Sequence, residues 1–184
     1  MISHSGAARG STARWRIAAL LLFVISLTNL DRLNIAIAAR HIQAEYAFDD
    51  VQIGLILSAF PLGYALFQIP GGVLADKFGP KYLLAWALLL WSVFTALTAV
   101  AGDLPTADWW SVAGSFFLFR LLVGIGEAPA FPAANKVVAL WMAPSERGLG
   151  SGIFIAGLGL GGVVAPPLIV WLTSHWGWQS PFWV

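Results

Sequence analysis

Long uncharged stretches, separated by short polar segments, make up most of the chain. A hydrocarbon core about 30 Å thick is crossed by roughly 20 helical residues. The pattern therefore predicts membrane helices at about 15–39, 51–75, 82–102, 111–141 and 149–174, followed by the start of a sixth at about 178–184. Residues 1–14 are polar and basic and are expected to form a cytoplasmic tail. An apolar run resumes before Val184, so we expect the chain to end inside the sixth helix.

The fourth predicted helix is too long for a straight crossing. It contains Pro129 and Pro132, and a proline inside a helix removes a backbone hydrogen bond and clashes with the preceding turn. We therefore expect these prolines to kink the helix, or its ends to lie outside the hydrocarbon. In the fifth helix, Gly157-x-Gly159-x-Gly161-Gly162 lies in an apolar span without a preceding strand. This pattern indicates close helix packing rather than a phosphate-binding loop.

The composition indicates a membrane protein, because 59% of the residues are hydrophobic and only 10% are charged. Soluble domains carry about 25% charged residues. The absence of cysteine excludes disulfides, thiolate metal sites and cysteine nucleophiles. The three histidines lack zinc-ligand spacing, so no metal site is expected. No nucleophile–base pair and no nucleic-acid-binding motif is present, which argues against an enzyme and against a nucleic-acid partner.

Basic residues are concentrated on one side of the predicted topology. With the N-terminus inside, the outer segments carry only Arg40, and the inner segments carry Arg9, Arg14, Arg16, Lys77, Lys81, Lys136 and Arg147. Cytoplasmic loops are enriched in lysine and arginine. The distribution predicts a multi-pass protein of the plasma (inner) membrane with a cytoplasmic N-terminus.

Ionisable side chains occur inside the predicted spans, although each charge near mid-bilayer costs roughly 2.5–3.5 kcal/mol. Asp31 and Arg32 are adjacent, so their side chains point about 100° apart on a helix. Arg120 and Glu127 are separated by two helical turns, about 10 Å, and share one face. Gly124 lies between them on that face and is expected to leave open space.

These four charged residues allow two interpretations. In a purely structural one, they pair with one another and join the first helix to the fourth. In the functional one, Arg32 and Arg120 donate to an anion, ideally in bidentate fashion to a carboxylate. Asp31 and Glu127 would then exchange a proton when the cavity opens to either side. Both interpretations can hold if the ion pairs break and reform during a transport cycle.

The turn between the second and third predicted helices carries a recognisable motif. It reads Gly72-x-Leu74-Ala75-Asp76-Lys77-x-Gly79-x-Lys81. This closely resembles the loop between helices two and three of the major facilitator superfamily. The resemblance implies an all-α membrane protein, in which this chain is the N-terminal six-helix half truncated in the sixth helix. It also implies a conformational loop formed by Gly72, Asp76, Lys77, Gly79 and Lys81, with Asp76 contacting the C-terminal half.

Further segments resemble the anion:cation symporter branch of that superfamily, whose members carry sugar acids, other organic anions and some phosphates, many with protons. These segments are Asp31-Arg32-x-Asn34, Ser58-Ala59-Phe60 with Tyr64, Gln68-Ile69-Pro70-Gly71-Gly72, Arg120 through Gly126-Glu127-Ala128-Pro129, and Trp178. By this resemblance Asp31 and Glu127 match proton-handling carboxylates. Arg32, Arg120 and Tyr64 match substrate-cavity residues. Asn29 is assigned to the same site, where sugar-acid members often have Tyr.

Taken together, these features predict secondary active transport of a small organic anion, a sugar acid or another carboxylate, by proton symport. No cofactor is expected beyond a proton or another coupling cation. The expected partners are the anion, the lipid bilayer and the C-terminal half of the same transporter. Two alternatives stay open, namely a short non-transporting membrane protein with an assembly or regulatory role and a proton-coupled efflux antiporter.

Overall fold

The computed structural model of the chain describes residues 12–105 and 111–183. The α-helices are α1 Ala13–Tyr46, α2 Asp50–Phe78, α3 Pro80–Ala99, α4 Val112–Glu127, α5 Ala130–Trp141 and α6 Arg147–Trp176. Since α4 and α5 follow one another in a single span, the described residues contain five helical segments long and apolar enough to cross a membrane. The all-α membrane architecture is therefore confirmed.

The predicted sixth helix is not seen in the part of it that the structure describes. Ser180–Phe182 forms one 3-10 turn, and Val184 lies outside the described residues. The six-helix count stays a prediction. Most of the predicted tail at 1–14 also lies outside the described residues, and α1 already includes Ala13 and Arg14.

The first helix is longer than its hydropathy predicts and continues through residues 41–46 to Tyr46. Polar residues such as glutamine and glutamate are good helix formers, so a polar segment need not be a loop. Ala47 ends the helix in the left-handed conformation, with its N–H bonded to the Gln43 carbonyl. Asp49 then caps α2 by a reciprocal capping box with Gln52. The connector is thus only three residues long.

The turn between α2 and α3 is a single residue, Gly79. Its φ of +84° lies in the region that side-chain-bearing residues rarely adopt. Pro80 follows at the first position of α3, where its missing N–H removes no helical hydrogen bond. The motif residues therefore occupy the last turns of α2, the turn at Gly79 and the first turn of α3.

The fourth span is interrupted between α4 and α5 at Ala128 and Pro129, at one of the two prolines where the sequence predicts a kink. Pro129 has no N–H to continue the ladder. The Ala128 N–H still bonds to the Gly124 carbonyl, and the Ala133 N–H bonds to the Pro129 carbonyl. The span therefore passes this interruption without leaving a full turn of backbone groups unbonded.

The helices pack in two close pairs, α1 with α6 and α2 with α4, and glycines form both contacts. A Cβ atom on Gly157 or Gly161 would overlap a backbone carbonyl of α1, whereas one on Gly159 would meet nothing within 4 Å. Gly63 and Gly124 face backbone carbonyls across the α2–α4 contact in the same way. Small residues allow this close approach of helix backbones in lipid. The packing role predicted for the α6 glycines is confirmed for Gly157 and Gly161.

The two ends of the bundle are held by different interactions. At one end, Arg14 pairs with Glu146 at 3.1 Å and Lys136 pairs with Asp76. At the other end, the Trp178 indole N–H donates to Glu45 at 2.5 Å. Trp178 also belongs to a cluster of rings with Tyr46, Phe48, Phe116 and Phe182. The charged turn of α2 and α3 thus lies at the end opposite the aromatic cluster.

Candidate functional site

Three of the four charged residues predicted within the spans, Arg32, Arg120 and Glu127, meet in the interior of the bundle between α1, α2 and α4. The Arg32 guanidinium donates to Oε1 of Glu127 from Nη2 at 2.5 Å and from Nε at 3.0 Å. Glu127 is fully buried, while about a third of the Arg32 side chain is exposed, 31%. This ion pair connects α1 to α4, as the structural interpretation of the sequence expected. Because the Arg32 side chain is partly exposed, an anion can also reach its guanidinium.

Aromatic rings from α2 form one wall around this pair. The Arg32 Cζ atom lies 4.8 Å from the Tyr64 ring centroid and 5.1 Å from that of Phe60. The Phe60 and Tyr64 rings are stacked, with centroids 5.9 Å apart. Arg120 also lies over Phe60, at 5.4 Å. One phenylalanine ring therefore contacts both arginines, which brings two cations to the same region despite their repulsion.

Arg120 is deeply buried, with only 1% of its surface exposed. Its Nε and Nη1 atoms have no hydrogen-bond partner among the described residues, and the same is true of Glu127 Oε2. Buried polar groups of a protein are normally paired. The site thus contains unsatisfied N–H donors on Arg120 and an unsatisfied carboxylate oxygen on Glu127. The donors suit an anionic ligand, and the carboxylate oxygen suits a proton.

The space expected at Gly124 is not open. A Cβ atom there would overlap the Phe60 carbonyl oxygen, so α2 fills the position between Arg120 and Glu127. The expectation of a gap on this face of α4 was therefore wrong. The glycine instead lets α2 approach α4 closely enough for Phe60 and Tyr64 to reach the arginines.

Asp31 points to a different region from Arg32, as expected for adjacent helical positions. It lies near the Trp91 side chain of α3 and within electrostatic reach of Arg120. Together with Trp91, Ser92 and Thr95 it lines a cavity of about 160 Å³. Asp31 and Glu127 consequently lie in different surroundings, with the buried charge of Arg120 interacting with both.

Asn29 lies at the contact between α1 and α6. Its Nδ2 donates to the Leu158 carbonyl at 2.7 Å, close to Gly161 and Gly162. Asparagine side chains commonly connect helices in this way within membranes. A role of Asn29 in substrate contact stays a prediction.

The residues of the predicted conformational loop are remote from this charged cluster and lie at one end of the bundle. Asp76 pairs with Lys136 of α5, yet 73% of its side chain is exposed. Lys77 and Lys81 are also exposed. Within the described ranges, no group of three or more His, Cys, Asp and Glu residues could hold a metal ion.

Three residues at or near the site were not assigned to it from the sequence. Phe60 contacts both arginines, Trp91 lies beside Asp31, and Asn34 is buried with its Nδ2 donating to the Pro181 carbonyl at 2.9 Å. Phe60 and Asn34 occur in the segments that resemble the symporter branch, although no role was assigned to either, and Asn34 carries a physical signal as well, since a polar residue in an apolar span needs a partner. An aromatic residue in such a span looks the same whether it faces lipid or a charge.

Residues 18–184 match the Major Facilitator Superfamily. The probable galactarate/D-glucarate transporter GudP of Bacillus subtilis is 36% identical over 98% of this chain and 39% of its own length. The corresponding transporter GarP of Escherichia coli K12 is 38% identical over 95% of this chain and 38% of its length. The probable sulfoacetate transporter SauU of Cupriavidus necator is 37% identical over 92% of this chain and 37% of its own length. These relatives are named as transporters rather than enzymes, as expected, and the chain spans about two fifths of their length.

The fold is also similar to that of a solved transporter. A bacterial homolog of the human lysosomal transporter Spinster, in an inward-facing and occupied conformation, superposes with a TM-score of 0.79 and 26% sequence identity. The match covers 95% of this chain and 42% of that one. By its sequence match over residues 18–184, its curated relatives and its helical arrangement, the chain belongs to the major facilitator superfamily.

Proposed function

We propose that this chain forms the N-terminal half of a secondary active transporter that takes up a small organic anion together with protons. The observation that carries the proposal is the interior cluster of Arg32, Glu127 and Arg120, in which charged groups are kept inside apolar spans. Such placement is costly. Family members similar over this chain are named for galactarate, D-glucarate and sulfoacetate, which are all anions.

Arg32, Arg120 and Tyr64 are the residues proposed to bind the substrate. A guanidinium presents a planar fork that matches a carboxylate or sulfonate through two parallel hydrogen bonds. Arg32 is partly exposed, so it can meet the anion first. Tyr64 stacks beneath it and offers a hydroxyl to the polar body of a sugar acid. Asn29 at the α1–α6 contact is the fourth proposed contact.

Glu127 and Asp31 are the residues proposed to carry the proton. In the structure, Glu127 accepts both hydrogen bonds from Arg32. An anion that takes over Arg32 removes this stabilisation, and a buried carboxylate without its cation is far more stable when protonated. Binding of the anion to Arg32 thereby favours uptake of a proton by Glu127, which couples the two events. Asp31 interacts electrostatically with Arg120 and faces α3, and it is proposed as the second proton carrier.

The second half of the transporter is proposed to cover the face of this bundle on which Arg32 is exposed, since the chain spans only about two fifths of the length of its relatives. Transporters of this type place the site between two halves that move against each other. Asp76 remains mostly exposed beside Lys136 and can contact that second half. The positive end of the bundle, with Lys77 and Lys81, is proposed to face the cytoplasm.

The test is uptake by the complete gene product, purified and reconstituted into liposomes. An inward proton gradient should drive accumulation of galactarate, D-glucarate or sulfoacetate, and a protonophore should abolish it. Accumulation driven only by an opposite gradient would favour an efflux antiporter. Absence of both uptake and exchange with all three anions would contradict a transporter of these substrates and favour a non-transporting role.

A further inference from the structure

An apolar groove runs along the outer surface between α2 and α3, away from the charged cluster. It consists of two adjoining cavities of about 390 and 230 Å³ that share Leu74, Leu83 and Trp86. The larger one opens beside Phe78 and Tyr82 at the α2–α3 turn. The smaller one continues to Phe94 and is floored by α4. The groove is therefore continuous from the end of the bundle into its membrane-spanning part.

The length and depth of this groove fit an acyl chain. Tyr82 and Phe94 are twelve positions apart on α3, which corresponds to about 18 Å along a helix. One leaflet is about half of a hydrocarbon core roughly 30 Å thick. The walls are exposed aromatic rings, with Tyr82 at 66% and Trp86 at 62%. Aromatic rings of this kind are enriched at the membrane–water interface.

Two lysines lie at the mouth of the groove. Lys77 Nζ is 5.4 Å from the Phe78 ring centroid, and Lys81 Nζ is 5.8 Å from that of Tyr82. Neither lysine forms an ion pair with any residue that the structure describes, and the nearby carboxylate of Asp76 is engaged by Lys136. The mouth thus presents two uncompensated positive charges above an apolar channel.

We propose that this groove is a binding site for one anionic phospholipid. Its acyl chain lies between α2 and α3 along Leu74, Leu83 and Trp86, and its phosphate contacts Lys77 and Lys81. Phosphatidylcholine has the same chain and phosphate but carries its own cation, which repels the two lysines. The site is therefore selective for the net negative headgroup, and it is independent of the transported substrate.

The experiment uses the complete gene product, purified in detergent, and follows its thermal unfolding as lipid is added. Dioleoylphosphatidylglycerol should raise the unfolding temperature more than dioleoylphosphatidylcholine. Each lysine near an anionic lipid surface is worth roughly fivefold in affinity, so Lys77→Gln with Lys81→Gln should raise the half-saturating concentration of phosphatidylglycerol by about 25-fold. The pair Lys77→Arg with Lys81→Arg should preserve the response. The matched control, Arg16→Gln with Arg40→Gln, removes two exposed charges elsewhere and should also preserve it.

A second variant tests the groove itself. Leu74→Trp fills the junction of the two cavities and should weaken the response to phosphatidylglycerol while both lysines remain. If the tryptophan prevents folding, Leu74→Phe fills the same junction with a smaller ring. Soluble glycerol phosphate, which lacks the chain, should give no stabilisation. Equal responses to the two lipids, equal losses in the lysine and control pairs, or an unchanged response in both Leu74 variants would overturn the proposal.

Discussion

Arg32 places two of its nitrogens on a single oxygen of Glu127, with Nη2 at 2.5 Å and Nε at 3.0 Å. The other oxygen, Oε2, is buried and has no hydrogen-bond partner among the described residues. A carboxylate normally offers both oxygens to an arginine in a parallel fork. The one-sided arrangement leaves an acceptor position on Glu127 where a proton can be added without first breaking a hydrogen bond. This geometry is compatible with the proposed roles, in which Arg32 is the ion-pair partner and Glu127 carries the proton.

The first prediction concerns Glu127→Gln. Glutamine keeps the size and a hydrogen-bond acceptor for Arg32 but cannot gain or lose a proton. Proton-driven accumulation of the anion should therefore be abolished, while exchange of labelled for unlabelled anion across liposomes is partly kept. The measurement is paired uptake and counterflow in the complete gene product. Glu146→Gln, at the bundle end beside Arg14, is the control and should leave both activities intact. Unchanged accumulation in Glu127→Gln would reject its role in coupling.

The second prediction concerns Arg120→Lys, which keeps the charge but loses the planar fork. Arg120 has unsatisfied Nε and Nη1 atoms, and a lysine presents neither in the same place. Hydrogen bonds to charged groups contribute about 1.5–3 kcal/mol, so anion affinity should fall by roughly 10–100-fold. The change is measured as the concentration giving half-maximal counterflow. Arg147→Lys, whose side chain donates to the Ala139 carbonyl outside the site, should show wild-type affinity. Wild-type affinity in Arg120→Lys itself would remove this residue from the site.

The spans were predictable because lipid imposes a simple rule. An apolar stretch long enough to cross a bilayer has to satisfy its backbone groups as a helix, and hydropathy reveals such stretches directly. Hydropathy did not predict the end of α1, because the largely polar residues 41–46 continue the helix. The helix ends at the left-handed Ala47, and Asp49 then caps the start of α2. The sequence alone also could not reveal that Ser180–Phe182 forms a 3-10 turn.

The site was predictable as a set of residues but not as a geometry. Charges in apolar spans are visible in sequence because their cost demands a reason. The choice of Arg32 rather than Arg120 as the direct partner of Glu127 depends on the rotation and separation of α1 and α4, which the sequence does not state. The same applies to Gly124, whose space is taken by the Phe60 carbonyl. Phe60 itself was missed because its ring differs from a lipid-facing one only by its neighbours.

The third prediction concerns Phe60→Leu. Leucine keeps the apolar bulk but removes the ring that both guanidinium groups contact. Cation–π contacts contribute about 0.5–1 kcal/mol when exposed and about 2 kcal/mol when desolvated. We expect roughly tenfold weaker anion affinity, with little change in the maximal exchange rate once the anion is saturating. Kinetics of counterflow separate these two quantities.

The control for Phe60→Leu is Phe154→Leu, a fully buried phenylalanine that contacts Phe131 away from the arginines. It should affect thermal stability but leave anion affinity unchanged. If both leucine variants changed affinity to the same extent, the effect would come from packing and the ring would have no specific influence on the arginines.

The fourth prediction concerns the α1–α6 contact and the substitution Gly161→Ala. The added Cβ would overlap the Ser26 carbonyl oxygen, and backbone cannot rotate aside as a side chain can. Overpacking of this kind costs about 1–3 kcal/mol, more than the gain of up to about 1 kcal/mol that alanine brings to a helix. The thermal unfolding temperature should therefore fall. Gly148→Ala lies on the same helix with nothing within 4 Å, so it should be neutral or slightly stabilising. Asn29 donates to α6 at this same contact. If Asn29 belongs to the site, Gly161→Ala should therefore also weaken anion binding. A loss of stability without a loss of affinity would assign Asn29 to helix packing.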